Sequence, residues 1–511
     1  MPCRVRPGRS MAALATLALA MMPARTAVAQ PGGVAAQCSI DQNSPKELSM
    51  AELRFARLKA GQDSATRNST LREAMKTLTE KPEAFAKNPA GRNYGIVRAL
   101  GNFMSPPDPV GQWVTRGSLG YATDPTGMID PAAALDTALA EVVKASPGCA
   151  AEFVQFREGI LWFSYIQRAQ AALNAGQADS AEFYSMKSTN ENAKSPFGWY
   201  FLGQIYDNKN ETDKAISSWG KAVEAAGTDS SFKDLKNQST LMMGVRSVEQ
   251  AQGLQGDAQK AAARKGQEPL KNYLAINGQA SDAPMAMQSL ADAFSLAGDT
   301  AMVPSVYQAL LTASGGGYND FHFTTGGVIA ARGERWADAS TLFEKALTIN
   351  PYQRDALNNV IASYSNLKQP DKMRPMIDRL IQIDPSNPEV LQYYALMAQG
   401  KRDLVKLPAE KKAWGDSLTK YFSASEKMPV KVTITNFTRS ANSSSVSASI
   451  EHRGAASGSY TFTVEFLDKE GKVVGKASAE PVTVPKGERK SVTVKGDMPG
   501  ITAFRYMKLS S

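Results

Sequence analysis

The sequence predicts a mainly α-helical protein, an α-solenoid of helical hairpins followed by a small antiparallel β-sandwich. Three observations lead to this prediction. Apolar residues recur at helical spacing along most of the chain, corresponding residues repeat 34 positions apart, and apolar and polar residues alternate in the last part of the chain. A chain of 511 residues is too long for one compact core, so we expect an array of stacked units.

The clearest helical hairpin lies in the stretch GWYFLGQIYDNKNETDKAISSWGKA, residues 198–222. The apolar members of its first helix follow the i, i+3, i+4, i+7 spacing of one helix face: Trp199, Leu202, Gly203 and Tyr206. Those of the second helix come after a polar gap: Ala215, Trp219 and Ala222. The small residues predict a close approach of the two helices, with aromatic rings filling the space between them. Such a pair cannot bury its apolar surface alone and must stack on neighbours.

Later in the chain, corresponding residues of two hairpins lie 34 positions apart: Ala339 and Met373, Phe343 and Ile377, Ala346 and Leu380, Pro351 and Pro385. This period and the pattern W-x2-L-G-x2-Y, A-x3-F-x2-A, P resemble the tetratricopeptide repeat family. In the first hairpin Gly227 stands where the family has its proline. Gly326 and Gly327 are expected to weaken the first helix of their own unit. A further unit is marked by Leu290, Ala291, Phe294 and Gly298, followed by Tyr307 and Leu310.

These patterns predict the following division of the chain. A signal peptide occupies residues 1–29, a flexible tail 30–44, and degenerate helical repeats 45–160, with a long loop at 101–131. The solenoid with its capping helix covers residues 161–425, and its clearest repeats are 196–229, 284–317, 320–353 and 354–387. An Ig-like β-sandwich is expected at residues 428–511.

In the family that this chain resembles, the first helix of each repeat lines a concave groove that binds extended peptides or proteins. The resemblance therefore implies a set of possible protein-binding residues on these helices. An ordinary packing or surface role is the alternative for each of them. The set is Phe197, Tyr200, Gln204, Asp207, Asn208, Phe321, Thr324, Val328, Asp355 and Asn358.

The last part of the chain is rich in Val, Thr and Ser and alternates with the period of half-buried strands. Alternation is clearest in two segments: Val430, Val432 and Ile434, then Tyr460, Phe462, Val464 and Phe466. Turns are expected at Asp468–Gly471 and Val484–Gly487. The segment from Phe466 onward resembles bacterial FxLYD-type Ig-like domains, with Phe504 and Tyr506 in the last strand. That resemblance implies an extracytoplasmic accessory domain without chemistry of its own.

The N-terminus has the features of a secretory signal peptide: basic residues, a short apolar run and an Ala27-Val28-Ala29 cleavage site. We therefore expect a periplasmic or secreted bacterial protein. Cleavage leaves two cysteines, Cys38 and Cys149, in an oxidising compartment where a disulfide can persist. A disulfide and two unrelated thiols both remain open at this stage, because geometry decides between them.

Charge and motifs argue against several classes of function. The formal net charge is +9, of which four positive charges lie in the signal peptide and five in the C-terminal domain, so no dense basic stripe predicts nucleic-acid binding. The two histidines, His322 and His452, fall in different domains and are interpreted as ordinary structural residues. No nucleophile, phosphate-loop or metal-ligand motif occurs. We predict no catalytic residue, no metal and no cofactor.

The sequence therefore predicts an exported, non-catalytic protein-interaction scaffold. A protein or peptide of the cell envelope would bind in the groove, and the Ig-like domain would make a second contact. The alternative is a glycan- or substrate-binding accessory protein of the envelope. We predict no nucleic-acid partner and no transmembrane anchor; the oligomeric state stays open.

Overall fold

The structure, a computed structural model, describes residues 38–59, 62–105, 111–313, 316–440 and 442–509. The predicted signal peptide lies outside these residues. The described chain divides into two units, one ending at Met243 and the other beginning at Gly244. Both units are built from successive helices, and the second unit also contains the C-terminal strands.

The first unit is a series of helices in which consecutive members pack against each other. Its elements are α1 (Lys46–Phe55), α2 (Ser64–Thr79), α3 (Pro89–Phe103), α4 (Pro131–Ala145), α5 (Trp162–Asn174), α6 (Ala178–Glu191), α7 (Pro196–Asn208) and α8 (Thr212–Ala226). The following helix, α9 (Lys233–Gln252), begins in this unit. A π-helical turn, Phe156–Leu161, leads into α5.

The hairpin of α7 and α8 forms as its sequence predicts. Ala215 and Ala222 are buried, and Trp219 is only 1% exposed. A Cβ atom at Gly203 would lie 2.5 Å from Cδ1 of Trp219, closer than real Cβ contacts come. Glycine at position 203 is therefore what allows the indole ring to lie against the backbone of α7.

The region predicted as a long loop, residues 101–131, contains more structure than its Gly- and Pro-rich composition indicates. Helix α3 continues to Phe103. Two short strands, β1 (Val114–Thr115) and β2 (Met128–Ile129), then pair in antiparallel fashion. Between them Gly120 adopts φ +85°, and a Cβ there would lie 2.6 Å from the Cα of Arg72. The left-handed turn thus brings this loop close to the backbone of α2.

A disulfide joins Cys38 to Cys149 across a sequence separation of 111 residues. Cys149 is completely buried in the core of the first unit. The segment that follows Cys38 is held in place as well, since Asn88 Nδ2 donates to the carbonyls of Asp41 (2.6 Å) and Ser44 (2.7 Å). In the chain-entropy treatment, closing a loop of this length stabilises the folded state by about 4 to 5 kcal/mol.

The second unit continues the helical array with the period seen in the sequence. Its helices are α10 (Gly256–Asn277), α11 (Ala283–Ala297), α12 (Gln308–Thr312), α13 (Asp320–Arg332), α14 (Trp336–Ile349), α15 (Arg354–Asn366), α16 (Pro370–Ile383), α17 (Pro388–Leu404) and α18 (Pro408–Glu426). Helices α13, α15 and α17 begin 34 residues apart, and so do α14 and α16. The structure confirms the predicted solenoid of helical hairpins.

Gly327 has a role that differs from the expected one. It was expected to weaken its helix, because glycine has low helix propensity. In the structure it occupies the same repeat position as Gly203, and a Cβ there would lie 2.5 Å from Cε1 of Phe343. Phe343 is in turn the counterpart of Trp219, and it is completely buried. The helix forms with this glycine in it, and the close ring contact requires a residue without a side chain at this position.

The repeat at residues 284–317 departs from a regular hairpin. Its first helix, α11, is intact, but a 3₁₀-helix at Thr300–Val306 and the five-residue helix α12 replace the second helix. Pro304 lies inside this segment and has no N–H to continue an α-helical ladder. Tyr307 and Leu310 are nevertheless buried as the sequence pattern requires.

The C-terminal part forms antiparallel strands. They are β3 (Val430–Arg439), β4 (Ser444–His452), β5 (Gly458–Tyr460), β6 (Thr463–Leu467), β7 (Val473–Ser478), β8 (Val482–Val484), β9 (Arg489–Gly496) and β10 (Ala503–Tyr506). One sheet has the order β3-β4-β9, another β10-β6-β7, and β5 pairs with β8. Alternate side chains from these sheets form a shared core. The predicted turn at Asp468–Gly471 joins β6 to β7, with Gly471 at φ +80°.

Candidate functional site

The face of α7 that the sequence assigns to partner binding is half-buried. Phe197, Tyr200, Gln204 and Asp207 are partly accessible, and Asn208 is exposed. Tyr200 accepts a hydrogen bond from Gln204 Nε2 at 2.8 Å. Burial raises the pKa of the Tyr200 phenol above its ordinary value, so the hydroxyl stays protonated at neutral pH. The Tyr200 O–H can still donate and the side-chain carbonyl of Gln204 can still accept, so the pair offers a partner both a hydrogen-bond donor and an acceptor.

Phe197 belongs to a group of aromatic side chains, of which the sequence analysis did not single out Phe163 and Phe232. Its ring centroid lies 6.2 Å from that of Trp162 and 5.8 Å from that of Phe232, the latter edge to face. Phe163, beside Trp162, is half-buried like Phe197. Phe163 stands 34 positions before Phe197, so the repeat period could have identified it. We call the half-buried residues Phe163, Phe197, Tyr200 and Phe232 the aromatic face.

The candidate residues of the later repeats have different surroundings. Thr324 is buried, and its hydroxyl donates to the carbonyl of Asp320 (2.8 Å) and lies 2.6 Å from Gln353 Oε1. Val328 is buried as well. Neither presents a surface to a partner, because both point into the packed interior between repeats. The two expectations are therefore corrected to packing roles.

Asp355 and Asn358 remain at the surface of α15. Asp355 is exposed and pairs with Arg354 at 3.3 Å. Asn358 is half-buried and donates from Nδ2 to the carbonyl of Arg354 at 3.0 Å. Both are tied to their own helix rather than joined in a common site.

Phe321 is covered on one face by the C-terminal strands. The guanidinium carbon of Arg439, on β3, lies 4.0 Å from the centroid of its ring. Arg439 also forms a bidentate pair with Asp320, at 2.8 Å to Oδ1 and 3.2 Å to Oδ2. Asn350 donates from Nδ2 both to Asp320 (2.7 Å) and to the carbonyl of Thr502 (3.0 Å). The C-terminal domain thus contacts the repeat at the start of α13 and at the end of α14.

A second buried contact repeats this arrangement one unit further along. Asp384 is completely buried and accepts hydrogen bonds from Arg354 Nε (2.7 Å), Asn387 Nδ2 (3.0 Å) and the hydroxyl of Tyr506 on β10. The Tyr506 hydroxyl in turn accepts from the backbone N–H of Ser386 at 3.1 Å. Burial and the neighbouring carboxylate raise the pKa of Tyr506 well above its ordinary value. Tyr506 therefore stays a hydrogen-bond donor.

Asn350 and Asp384 are 34 residues apart and end the second helices of consecutive repeats. Thr502 and Tyr506 contact them from one short segment that contains β10. Strand β10 is the edge of its sheet, and edge strands need a cover against unwanted pairing. The repeat loops lie beside this segment and hold the C-terminal domain at several points.

Both histidines are buried, and each has a hydrogen-bonded ring nitrogen. His322 is buried at the start of α13, where Nδ1 accepts from the backbone N–H of Asn319 (3.2 Å) and Nε2 lies 3.1 Å from the carbonyl of Ala280. His452 lies with Nδ1 2.5 Å from the hydroxyl of Tyr460. Within the described ranges, no three His, Cys, Asp or Glu side chains come together to hold a metal ion.

Burial lowers the pKa of His322, and this predicts a pH dependence of stability. The unfolded chain binds a proton at this residue near pH 6.5, whereas the folded chain does so only at lower pH. Stability from this residue is therefore fully present above that pH and falls as the pH drops below it, by up to about 1.4 kcal/mol per pH unit. Urea unfolding of wild type and His322→Gln between pH 5 and 7.5 checks this. Equal slopes in the two proteins would contradict it.

Comparison with known proteins identifies the hairpin of α7 and α8. The sequence model of the tetratricopeptide repeat matches residues 198–229. These residues form a tetratricopeptide repeat. The match includes most of the aromatic and polar residues of α7 described above. The Ig-like resemblance of the C-terminal domain stays a prediction.

Several solved tetratricopeptide structures are similar to parts of this chain. One is YrrB, a TPR protein with an unusual peptide-binding site, with 14% identity over 52% of this chain and 97% of that chain and a TM-score of 0.26. A tetratricopeptide repeat protein from Parabacteroides merdae has 9% identity over 52% of this chain and 93% of that chain, with a TM-score of 0.31. A structure of pilF from Pseudomonas aeruginosa has 14% identity over 51% of this chain and 88% of that chain, with a TM-score of 0.23. No curated protein matches the sequence.

Across the described residues, no helix is both long enough and apolar enough to cross a bilayer.

Proposed function

We propose that this chain is an exported, non-catalytic scaffold that binds a protein or peptide on the aromatic face of its tetratricopeptide repeat. Tetratricopeptide folds are typical of protein-interaction scaffolds. The observation that supports the site is the row of half-buried aromatic rings on α5 and α7 beside the Tyr200–Gln204 pair. Aromatic residues of this kind supply much of the binding energy at protein interfaces.

The polar groups of the same face suit an extended peptide. A peptide backbone needs both donors and acceptors, because each residue carries an N–H and a C=O. The Tyr200–Gln204 pair offers both, and the exposed amide of Asn208 lies one turn further along α7. Side chains of the peptide would contact Phe163 and Phe197, so polar pairing and apolar burial would occur together.

We propose the bacterial envelope as the site of this interaction. The N-terminal sequence supports export, because it has the basic, apolar and small-residue parts of a signal peptide. The pairing of Cys38 with Cys149 also supports it, since such bonds persist in oxidising compartments.

The C-terminal domain would provide a second contact. Its strand β10 is engaged by the repeat loops, but β7 forms the opposite edge of the same sheet. Val473 and Val474 of β7 are each 38% exposed. We propose this edge, rather than the covered one, as the surface of that second contact.

The test replaces Tyr200 and Gln204 by alanine in the mature chain. We expect the double variant to lose a partner that wild type retains in affinity capture from envelope extract, because both the ring and the amide are removed. The control is Ser217→Ala, an exposed position on the second helix α8, which should retain the partner. The same proteins bound by all three chains would refute the proposed face, provided that their melting temperatures agree.

A further inference from the structure

A cavity of about 430 Å³ lies in the second unit, between α11, the 3₁₀-helix Thr300–Val306 and the end of α13. It occurs in the repeat whose second helix is broken around Pro304. Its volume is at the lower end of the range for small-molecule sites, roughly 300 to 1,000 Å³. The cavity therefore has room for a ligand of one or two rings rather than for a long chain.

The charged side chains at the cavity balance one another. Asp292 Oδ1 accepts from Arg332 Nη1 at 3.2 Å, and both side chains line the cavity. The hydroxyl of Tyr307, another lining residue, donates to Asp338 Oδ2 at 3.1 Å. Arg335 lines the cavity three positions before Asp338. Two carboxylates and two guanidinium groups are thus close to the cavity, and a ligand with a net charge would leave one charge without compensation.

Two further carboxylates lie near the cavity without lining it. Asp299 accepts from Gln267 Nε2 at 2.9 Å and lies 4.0 Å from Arg264, so its charge is compensated on the side of α10. Glu334 is exposed to solvent, which screens its charge. The electrostatic surroundings therefore favour a neutral ligand over an anion or a cation.

Hydrogen-bonding groups of both kinds are closely spaced on the cavity wall. Gln288 Nε2 donates to Asp292 at 3.0 Å, which leaves the side-chain carbonyl of Gln288 as an acceptor. Ser295 and Thr300 add hydroxyl groups. A ligand hydroxyl donates one hydrogen bond and accepts up to two, so neighbouring hydroxyls can serve carboxylates and guanidinium groups together. The rest of the wall is apolar and includes Ala291, Val303 and Ile329.

We propose that this cavity binds a neutral sugar ring with several free hydroxyl groups, either a free mono- or disaccharide or the end of a glycan chain. Asp292 would accept from its hydroxyls, Arg332 and Arg335 would donate to its oxygens, and the apolar wall would cover its C–H groups. A peptide amide matches this wall less well, because each amide carries only one N–H and one C=O. The inference goes beyond the proposed function, since it concerns another repeat and another class of ligand.

Saturation-transfer NMR titrations with the full mature chain test the proposal. The neutral probes are the methyl glycosides of glucose, galactose, mannose and N-acetylglucosamine. The charged probes are methyl glucuronide and the protonated methyl glycoside of glucosamine, and a blocked alanine dipeptide is the amide probe. We expect at least one neutral glycoside to bind at least ten-fold more tightly than the charged and amide probes. Binding of no neutral glycoside, or equal binding of a charged or amide probe, overturns the proposal.

The length of the sugar distinguishes its two sources. The sugar that binds is titrated again as the terminal ring of a tetrasaccharide. An affinity equal to that of the methyl glycoside identifies the end of a glycan chain as the ligand. A loss of at least ten-fold identifies a free mono- or disaccharide, because the remaining rings would then be excluded.

Substitutions assign the binding to the cavity. Asp292→Asn should weaken it at least ten-fold, whereas Asp416→Asn, an exposed carboxylate on α18 outside the cavity, should leave it unchanged. Ser295→Trp, at an exposed position on the cavity wall, should abolish binding by filling the space without changing the melting temperature. Wild-type affinity in both cavity variants overturns the assignment. The Tyr200→Ala/Gln204→Ala variant should bind the sugar normally, so the proposal for α7 and the proposal for this cavity are tested separately.

Discussion

Replacing Asp384 by alanine is expected to destabilise the second unit by about 3 to 5 kcal/mol, the cost of breaking a buried ion pair. Asp384 is completely buried and accepts from Arg354, Asn387 and Tyr506. Without it, the ion pair left to Arg354 among the described residues is the 3.3 Å pair with the exposed Asp355. Tyr506 would lose the acceptor for a buried hydroxyl, which adds to the cost. Urea unfolding of the full mature chain, followed by circular dichroism, measures the loss.

The matched control is Asp416→Ala on α18, whose carboxylate pairs with Lys412 at 2.8 Å on the surface. Exposed pairs of this kind contribute about 0 to 1 kcal/mol. Tyr506→Phe should lie between the two variants, at about 1 to 3 kcal/mol, because it removes the hydroxyl but keeps the ring. A loss for Asp384→Ala no greater than that for Asp416→Ala would show that the buried contact does not hold the C-terminal domain in place.

Replacing Trp219 by alanine is expected to destabilise the first unit by about 3 to 5 kcal/mol, because it leaves a large cavity between α7 and α8. The ring is 1% exposed and lies against Gly203. Trp219→Phe should cost much less, since repeat 320–353 uses Phe343 at the same position. Urea unfolding of the three chains gives the order of stability. A smaller loss for alanine than for phenylalanine would contradict the packing described here.

The contact between Trp219 and Gly203 can be tested separately by substituting Gly203. Gly203→Ala alone is expected to destabilise by about 1 to 3 kcal/mol through overpacking, because its Cβ would meet the indole ring. In the Trp219→Ala background the clash disappears, and alanine regains its helix-propensity advantage of about 1 kcal/mol. The two substitutions should therefore be strongly non-additive. Additive losses would mean that the ring and the glycine do not interact.

The sequence predicted the repeats well where residues close in the chain decide the structure. Helical spacing and the 34-residue period located α13 to α16. Both signals come from the apolar and small residues that pack the two helices of a hairpin together. The same reasoning considered only the helix propensity of Gly327 and could not show its contact with the ring of Phe343. The repeat pattern of Tyr307 and Leu310 also did not show that the segment around Pro304 forms a 3₁₀-helix.

The candidate site was predicted less completely. Phe197, Tyr200 and Gln204 lie on one face of α7, as periodicity requires. Phe232, which packs on Phe197, comes from a 3₁₀ turn without any repeat pattern. Thr324 and Val328 are buried because residues of neighbouring repeats pack over them. The sequence of one repeat does not show which of its surface positions the next repeat will bury.

The sequence by itself determined the type and order of the regular repeat helices and of the C-terminal strands, because apolar periodicity acts between residues a few positions apart. The tertiary structure decided how the C-terminal domain attaches. Arg439 reaches Asp320 across 119 residues, and Tyr506 reaches Asp384 across 122. No local pattern relates such pairs. Their charges and hydroxyl groups are stable in the interior only because folding brings each one to its partner.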